Sequence, residues 1–134
     1  MASFGAAVSS QTFAAEALKS VDEIMATADN WAADLQANHQ PLLKIGAAVT
    51  TGQVIFGAVG DTSRMEYTVI GDAVNLAAKL EKHTKSEKVR ALCTASAYET
   101  ARQQGYQPPV GHKKLENRNI EGVSQPQDIV IMAR

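Results

Sequence analysis

Asn75 and Lys79 are four residues apart in the stretch Asp72-Ala73-Val74-Asn75-Leu76-Ala77-Ala78-Lys79-Leu80-Glu81. On a helix that spacing puts an amide and an ammonium on one face. The amide can donate and accept hydrogen bonds at once. Its neighbours Val74 and Leu76 are apolar, so a polar amide between them is out of place on a plain core helix. A short way upstream, Thr68 offers a hydroxyl from the β-prone run Tyr67-Thr68-Val69-Ile70. Other reactive groups are sparse. The chain has one cysteine, Cys93, and three scattered histidines, His39, His83 and His112. One thiol forms no internal disulfide, and this set has no zinc-ligand spacing. Cys93 therefore reads as a small buried hydrophobe, and the histidines as ordinary surface or loop residues.

The elements that must position these groups follow from patterning. At 134 residues the chain is long enough for one domain, residues 1–134, and 45% hydrophobic residues can furnish a core. Thirteen basic residues against fourteen acidic ones give a net charge of −1, which argues against a nucleic-acid binder and against disorder. No apolar run reaches the ~20 residues needed to cross a bilayer, and residues 1–10 lack a basic signal-peptide start. The expectation is a cytoplasmic protein, or the cytoplasmic part of a larger or membrane-attached one.

Met1 to Val8 could be the end of a strand. Phe13, Ala17, Val21, Ile24, Ala28, Trp31 and Leu35 recur at helical steps, predicting a helix from about Ser10 to Asn38. Ser9 and Ser10 are candidate caps, Met25 and Trp31 candidate core residues, and Pro41 a stop. Leu42 to Gly60 reads as a β-hairpin turning at Thr50-Thr51-Gly52. Met65–Ile70 is β-rich, and Asp72 is placed to cap a helix running to about His83. A short strand near Val89–Thr94, a helix over Ala95–Gln104 closed by Gly105, an edge strand within His112–Asn119 and a final strand over Asp128–Met132 complete the pattern. Helices alternating with strands that include a tight hairpin point to an α+β domain.

The segment Lys44–Glu81, KIGAAVTTGQVIFGAVGDTSRMEYTVIGDAVNLAAKLE, resembles the class III adenylate and guanylate cyclases along its length. Weaker similarity continues to the C-terminus. Met1-Ala2-Ser3-Phe4-Gly5 resembles the stretch just past that family's second metal-binding aspartate. The resemblance thus covers the latter part of a cyclase domain. It implies a truncated ferredoxin-like fold with a mixed, largely antiparallel sheet and helices packed on it.

The resemblance also implies roles. Such enzymes convert a nucleoside triphosphate to its 3′,5′-cyclic monophosphate and pyrophosphate for intracellular signalling, at sites between two subunits. Thr68 matches a purine-reading position, where threonine suits ATP; guanine-specific relatives often carry cysteine there. Asn75 matches the asparagine that orients the ribose. Lys79 stands where the family has a transition-state arginine, keeping the charge but losing the planar fork. Glu121-Gly122 corresponds to the family's phosphate-contacting Lys-Gly pair, with Lys113 or Lys114 as alternative cations. Both metal aspartates, which hold Mg or Mn in the family, have no counterpart. Asp61 and Asp72 match no metal position, so no metal ligand is assigned and no ion is expected to be held by this chain alone.

Two functional readings follow. One is an adenylate cyclase-type domain present as an incomplete piece, inactive alone, binding ATP weakly or not at all and forming a homodimer or another self-associated state. The other is a catalytically degenerate regulatory or dimerisation module. An unrelated α+β domain is the third, bland alternative.

Overall fold

The computed structural model describes residues 1–134. Three helices are present: α1 (Phe13–Ala37), α2 (Asp72–Glu87) and α3 (Ala95–Gln103). Six strands accompany them: β1 (Ala47–Val49), β2 (Ile55–Gly60), β3 (Met65–Ile70), β4 (Ala91–Thr94), β5 (Lys113–Arg118) and β6 (Gln127–Ala133). Four strands form one sheet in the order β1-β4-β6-β5, and β2 and β3 form a separate pair. Only β1–β4 is parallel; the other three pairings are antiparallel. The expected α+β architecture with a mixed, largely antiparallel sheet is what the chain adopts.

Strand alternation builds a core on each face of the larger sheet. Ala91 and Cys93 of β4, with Val130 and Met132 of β6, point toward α1 and α3 and pack with Leu18, Val21 and Tyr106. Leu92 of β4, with Ile129 and Ile131 of β6, points the other way, onto Leu80 of α2 and onto Ile120. Cys93 is fully buried, as its residue type suggested, and burial pushes its thiol pKa up to about 12.

Trp31, a candidate core residue, is nearly half exposed. Four further local expectations are corrected. Met1–Val8 forms no strand. The cap of α1 is Thr12, not Ser9 or Ser10, and the Ser10 and Thr12 hydroxyls instead both donate to the Glu16 carboxylate. Asp72 is the first residue of α2, not its cap; Gly71 holds the cap position, where a Cβ would fall 2.8 Å from the Gln53 carbonyl oxygen. The fourth correction is the largest, because the hairpin is not Leu42–Gly60. β1 pairs with β4, while β2 turns back onto β3 through Asp61–Arg64. The Asp61 carboxylate accepts from the Ser63 hydroxyl and from the Ser63 and Arg64 backbone N–H groups, which fixes that turn and holds its pKa low. The Thr50 hydroxyl donates to the Ala73 carbonyl at 2.7 Å, so residues 50–54 cross the start of α2 rather than reversing.

The β2–β3 hairpin stands off the body. Val69 is its only buried residue, and Ile55, Met65 and Tyr67 are each at least two-thirds exposed.

All three helices end in the same doubly bonded turn, with the next residue but one returning to the helix's last exposed carbonyls. At α3 the left-handed position is Gly105, as expected. At α1 and α2 it is His39 and Lys88, each at φ 54°. A side chain there costs roughly 1–2 kcal/mol, and glycine's extra chain entropy returns roughly 0.5–1 kcal/mol of that. Lys88→Gly is therefore expected to stabilise the fold by about 0.5–1 kcal/mol, measured as a rise in the urea midpoint with no change in slope.

Candidate active site

The site is built at the junction where β3 leads through Gly71 into α2. Asn75 lies in the first turn of α2; its backbone N–H donates to the Gly71 carbonyl, and its amide side chain is exposed. One turn on, Lys79 is half-buried, and its ammonium donates to the Gly122 carbonyl. That carbonyl belongs to the loop between β5 and β6, held on α2 because Ile120 is buried in the Leu80 cluster and Val123 packs beside it. Gly122 has φ +75°, and a Cβ there would sit 3.3 Å from Lys79 Cε. The position thus favours glycine twice over, by backbone and by space.

Asn75, Lys79 and the Glu121-Gly122 pair therefore share one surface, although forty-odd residues separate them in the chain. Thr68 lies apart from them on the hairpin, half-exposed and paired with Gly57. No hydrogen bond links it to Asn75 or Lys79. Lys114 is occupied elsewhere, with Asp128 at 3.4 Å and Glu116 at 3.6 Å. The hydrogen bond with Asp128 and that residue's charge raise the Lys114 pKa.

The acidic groups present do not fit a pair of divalent ions. No group of three or more His, Cys, Asp or Glu side chains converges anywhere in the chain, and Asp61 is spent on its own turn. On another face of α2, lined by Ala73, Ala77 and Glu81 and not by Asn75 or Lys79, a largely apolar groove of about 1260 Å³ runs toward α1, with the open edge of β1 along it.

One cluster escaped the sequence reading. His112 was expected at the surface, yet its side chain is only 5% exposed, wedged between Tyr98 and Tyr106. Neither ring nitrogen makes a hydrogen bond of ordinary geometry; the nearest acceptor is the Asp22 carboxylate, 3.8 Å from Nε2, and the Met132 backbone lies alongside. The other Asp22 oxygen accepts from the Tyr106 hydroxyl at 2.6 Å. His83 is also mostly buried, beside Glu87. Burial lowers the His112 pKa and outweighs the pull of Asp22. A depressed imidazole pKa makes the unfolded chain the better proton acceptor. The stability it confers is complete above the ordinary value of about 6.5 and is lost as pH falls from there through the lowered folded value. Thermal melts are expected to drop between pH 7.5 and pH 5, with a shallower drop in His112→Phe.

Comparison with known proteins now places the chain. A sequence profile for the adenylate and guanylate cyclase catalytic domain matches residues 1–126. The chain belongs to this family. An uncharacterized protein of Mycobacterium tuberculosis is 45% identical over 69 residues, 52% of this chain and 13% of that protein. The adenylate cyclase of Anabaena cylindrica is 45% identical over 56 residues, 42% of this chain and 11% of that protein. The chain thus spans about an eighth of the length of these curated relatives. Among solved structures, the guanylyl cyclase Cya2 superposes with a TM-score of 0.72, covering 96% of this chain and 61% of that one. At 24% identity that likeness speaks for the cyclase fold. No helix of the chain is long and apolar enough to cross a membrane.

Proposed function

We propose that this chain is the nucleotide-holding part of an adenylate cyclase-type domain, which turns ATP into 3′,5′-cyclic AMP and pyrophosphate once completed by further polypeptide and by a second subunit. The observation that carries the reading is the convergence of Asn75, Lys79 and the Glu121-Gly122 loop on one face of α2. Asn75 offers a donor and an acceptor to the ribose oxygens. Lys79 supplies positive charge toward the phosphates. Thr68, from the hairpin, reads the purine edge with its hydroxyl. Mg or Mn, in this family, activates the 3′-hydroxyl and neutralises phosphate charge; its ligands are not among these residues. The open β1 edge and the apolar groove favour completion by an added strand. The exposed apolar residues of the hairpin favour self-association.

Saturation-transfer NMR with ATP tests the binding role. The expected result is weak transfer to the ribose protons that Asn75→Ala removes. Equal transfer in wild type and Asn75→Ala would sink the assignment. Absence of any transfer would favour the second reading, a degenerate regulatory or dimerisation module, which the glutamate at position 121 supports by placing negative charge where phosphates would lie.

A further inference from the structure

Strand β5 changes face on its way to the loop that carries Gly122. Lys114 pairs with Val130 on the α1–α3 side of the sheet, and Leu115 with Ile129 on the α2 side. Strict alternation would return Arg118 to the α1–α3 side. A bulge intervenes, because Leu115 to Arg118 takes three steps of the chain against two from Ile129 to Gln127, the register partner of Arg118. Asn117 sits within it at φ 52°, its N–H donating to the Asp128 carboxylate at 3.0 Å. The extra residue re-aims Arg118 at α2.

What Arg118 meets there is Glu87, in the last turn of α2. Arg118 Nε lies 3.2 Å from one Glu87 carboxylate oxygen, and Nη2 lies 3.4 Å from the other. His83, one turn earlier, faces the first of these oxygens with Nε2 at 3.2 Å. The Glu87 side chain is 15% exposed, and Arg118 Nε is wholly buried with Glu87 as its only ion-pair partner. Removing either member of such a pair leaves the other's charge buried and uncompensated.

From Arg118 the chain takes two steps to Ile120, buried in the Leu80 cluster, and two more to Gly122, whose carbonyl accepts from Lys79. The Val123 N–H donates to the Ile120 carbonyl at 3.0 Å and closes the turn. Three ties thus fasten this strap to α2, at Glu87, Leu80 and Lys79. α2 rises about 10 Å from Leu80 to Glu87, and two residues of chain span at most about 7 Å. The Arg118 side chain bridges the rest, so the strap has little slack.

We infer that Glu87 and Arg118 are positioning residues for Lys79. Their ion pair holds the strap in register along α2, and the Gly122 carbonyl in turn directs the Lys79 ammonium, one helical turn from Asn75. The clamp matters more for a lysine than for an arginine, because a point charge on a flexible stem has no fork to fix its own direction. The use of that placement, a charge facing the phosphates, rests on the cyclase reading; the clamp itself does not.

Two mild variants of the 134-residue chain test it. Glu87→Gln keeps the shape of the side chain and removes its charge, while Arg118→Lys keeps the charge and removes the fork. By NMR, each is expected to speed amide exchange at Val123 about tenfold and to lower the order parameter of the Lys79 ε-methylene, with the β4 amides still protected. Unchanged order at Lys79 in both variants overturns the inference. So does loss of protection throughout β4 in both, which would make the pair a general prop of the fold. Titrations with ATP and with adenosine then separate placement from support. A misplaced ammonium is expected to weaken ATP binding about two- to fivefold and to leave adenosine binding as it was. Equal weakening of the two overturns the positioning role. If the wild-type chain binds neither, the cyclase reading fails, while reduced order at Lys79 in the variants still upholds the clamp.

Discussion

Incubated with ATP and Mg or Mn, the 134-residue chain by itself is expected to yield no cyclic AMP above background. Every tenfold in rate corresponds to about 1.36 kcal/mol of barrier. Divalent ions in such a reaction stabilise transition-state charge by several kcal/mol, and a deprotonated 3′-hydroxyl adds to that. In the roles proposed for them, Asn75 and Lys79 would hold substrate; an amide and an ammonium are not ligands for two divalent ions and would not accept the hydroxyl proton. Supplying a segment with two aspartates, as a longer chain or as a co-expressed partner, is the second arm. Under the adenylate cyclase reading it restores turnover, and Asn75→Ala in the restored protein lowers that turnover about a hundredfold through lost orientation of the ribose. Should the segment restore nothing, Lys79 and Glu121 are the suspects. Lys79→Arg with Glu121→Lys would then return a bidentate fork and reverse the charge next to Gly122. Continued silence after both changes would leave the regulatory module as the reading. Cyclic AMP from the unmodified chain that disappears in Asn75→Ala would overturn the argument at its root.

Leu92→Ala is expected to be the most damaging single truncation for stability. Leu92 is wholly buried in β4, in the cluster that holds Leu80, Val89, Ile129 and Ile131. It sits where α2 meets the sheet, on a strand paired on both sides, with β1 and with β6. Deleting most of such a side chain costs about 2–5 kcal/mol, against a total stability of roughly 5–15 kcal/mol for a domain. Urea unfolding followed by circular dichroism measures it. Tyr67→Ser on the hairpin is the control: its ring is mostly exposed, so a loss within about 0.5 kcal/mol is expected. Similar losses at the two positions would show that the hairpin belongs to the same core as Leu92.

What the sequence discloses is local. Apolar recurrence in steps of three and four marks α1, and the run Asp128–Met132 marks β6, because each pattern is written in consecutive residues. The partner of a strand is not. Lys44–Val49 and Gln53–Val59 look like two arms of a hairpin since a Thr-Thr-Gly turn separates them. The pairing is decided instead by the Asp61 turn and by Thr50 fastening its segment to Ala73. Parallel pairing of β1 with β4 spans forty-four residues and leaves no periodic mark. The site shows the same division. Asn75 and Lys79 share a face by spacing alone, but the contact between Lys79 and Gly122 needs Ile120 buried under Leu80. His112 lies in a polar stretch, and nothing there signals that Tyr98 and Tyr106 close over it.

The separation of the two sheets divides the chain into thermodynamic tiers. No backbone ladder joins β2–β3 to the four-stranded sheet, so melting the hairpin leaves that sheet's hydrogen bonds intact. An isolated two-stranded hairpin is marginal in water, and here Val69 alone ties its apolar surface to the body. Its order is then linked to whatever covers Ile55, Met65 and Tyr67. If Thr68, on β3, reads the purine as proposed, that reading inherits the same dependence: covering the hairpin and recognising the base would be coupled equilibria. An occupied hairpin would bind nucleotide more tightly by the same factor by which bound nucleotide would strengthen the occupation.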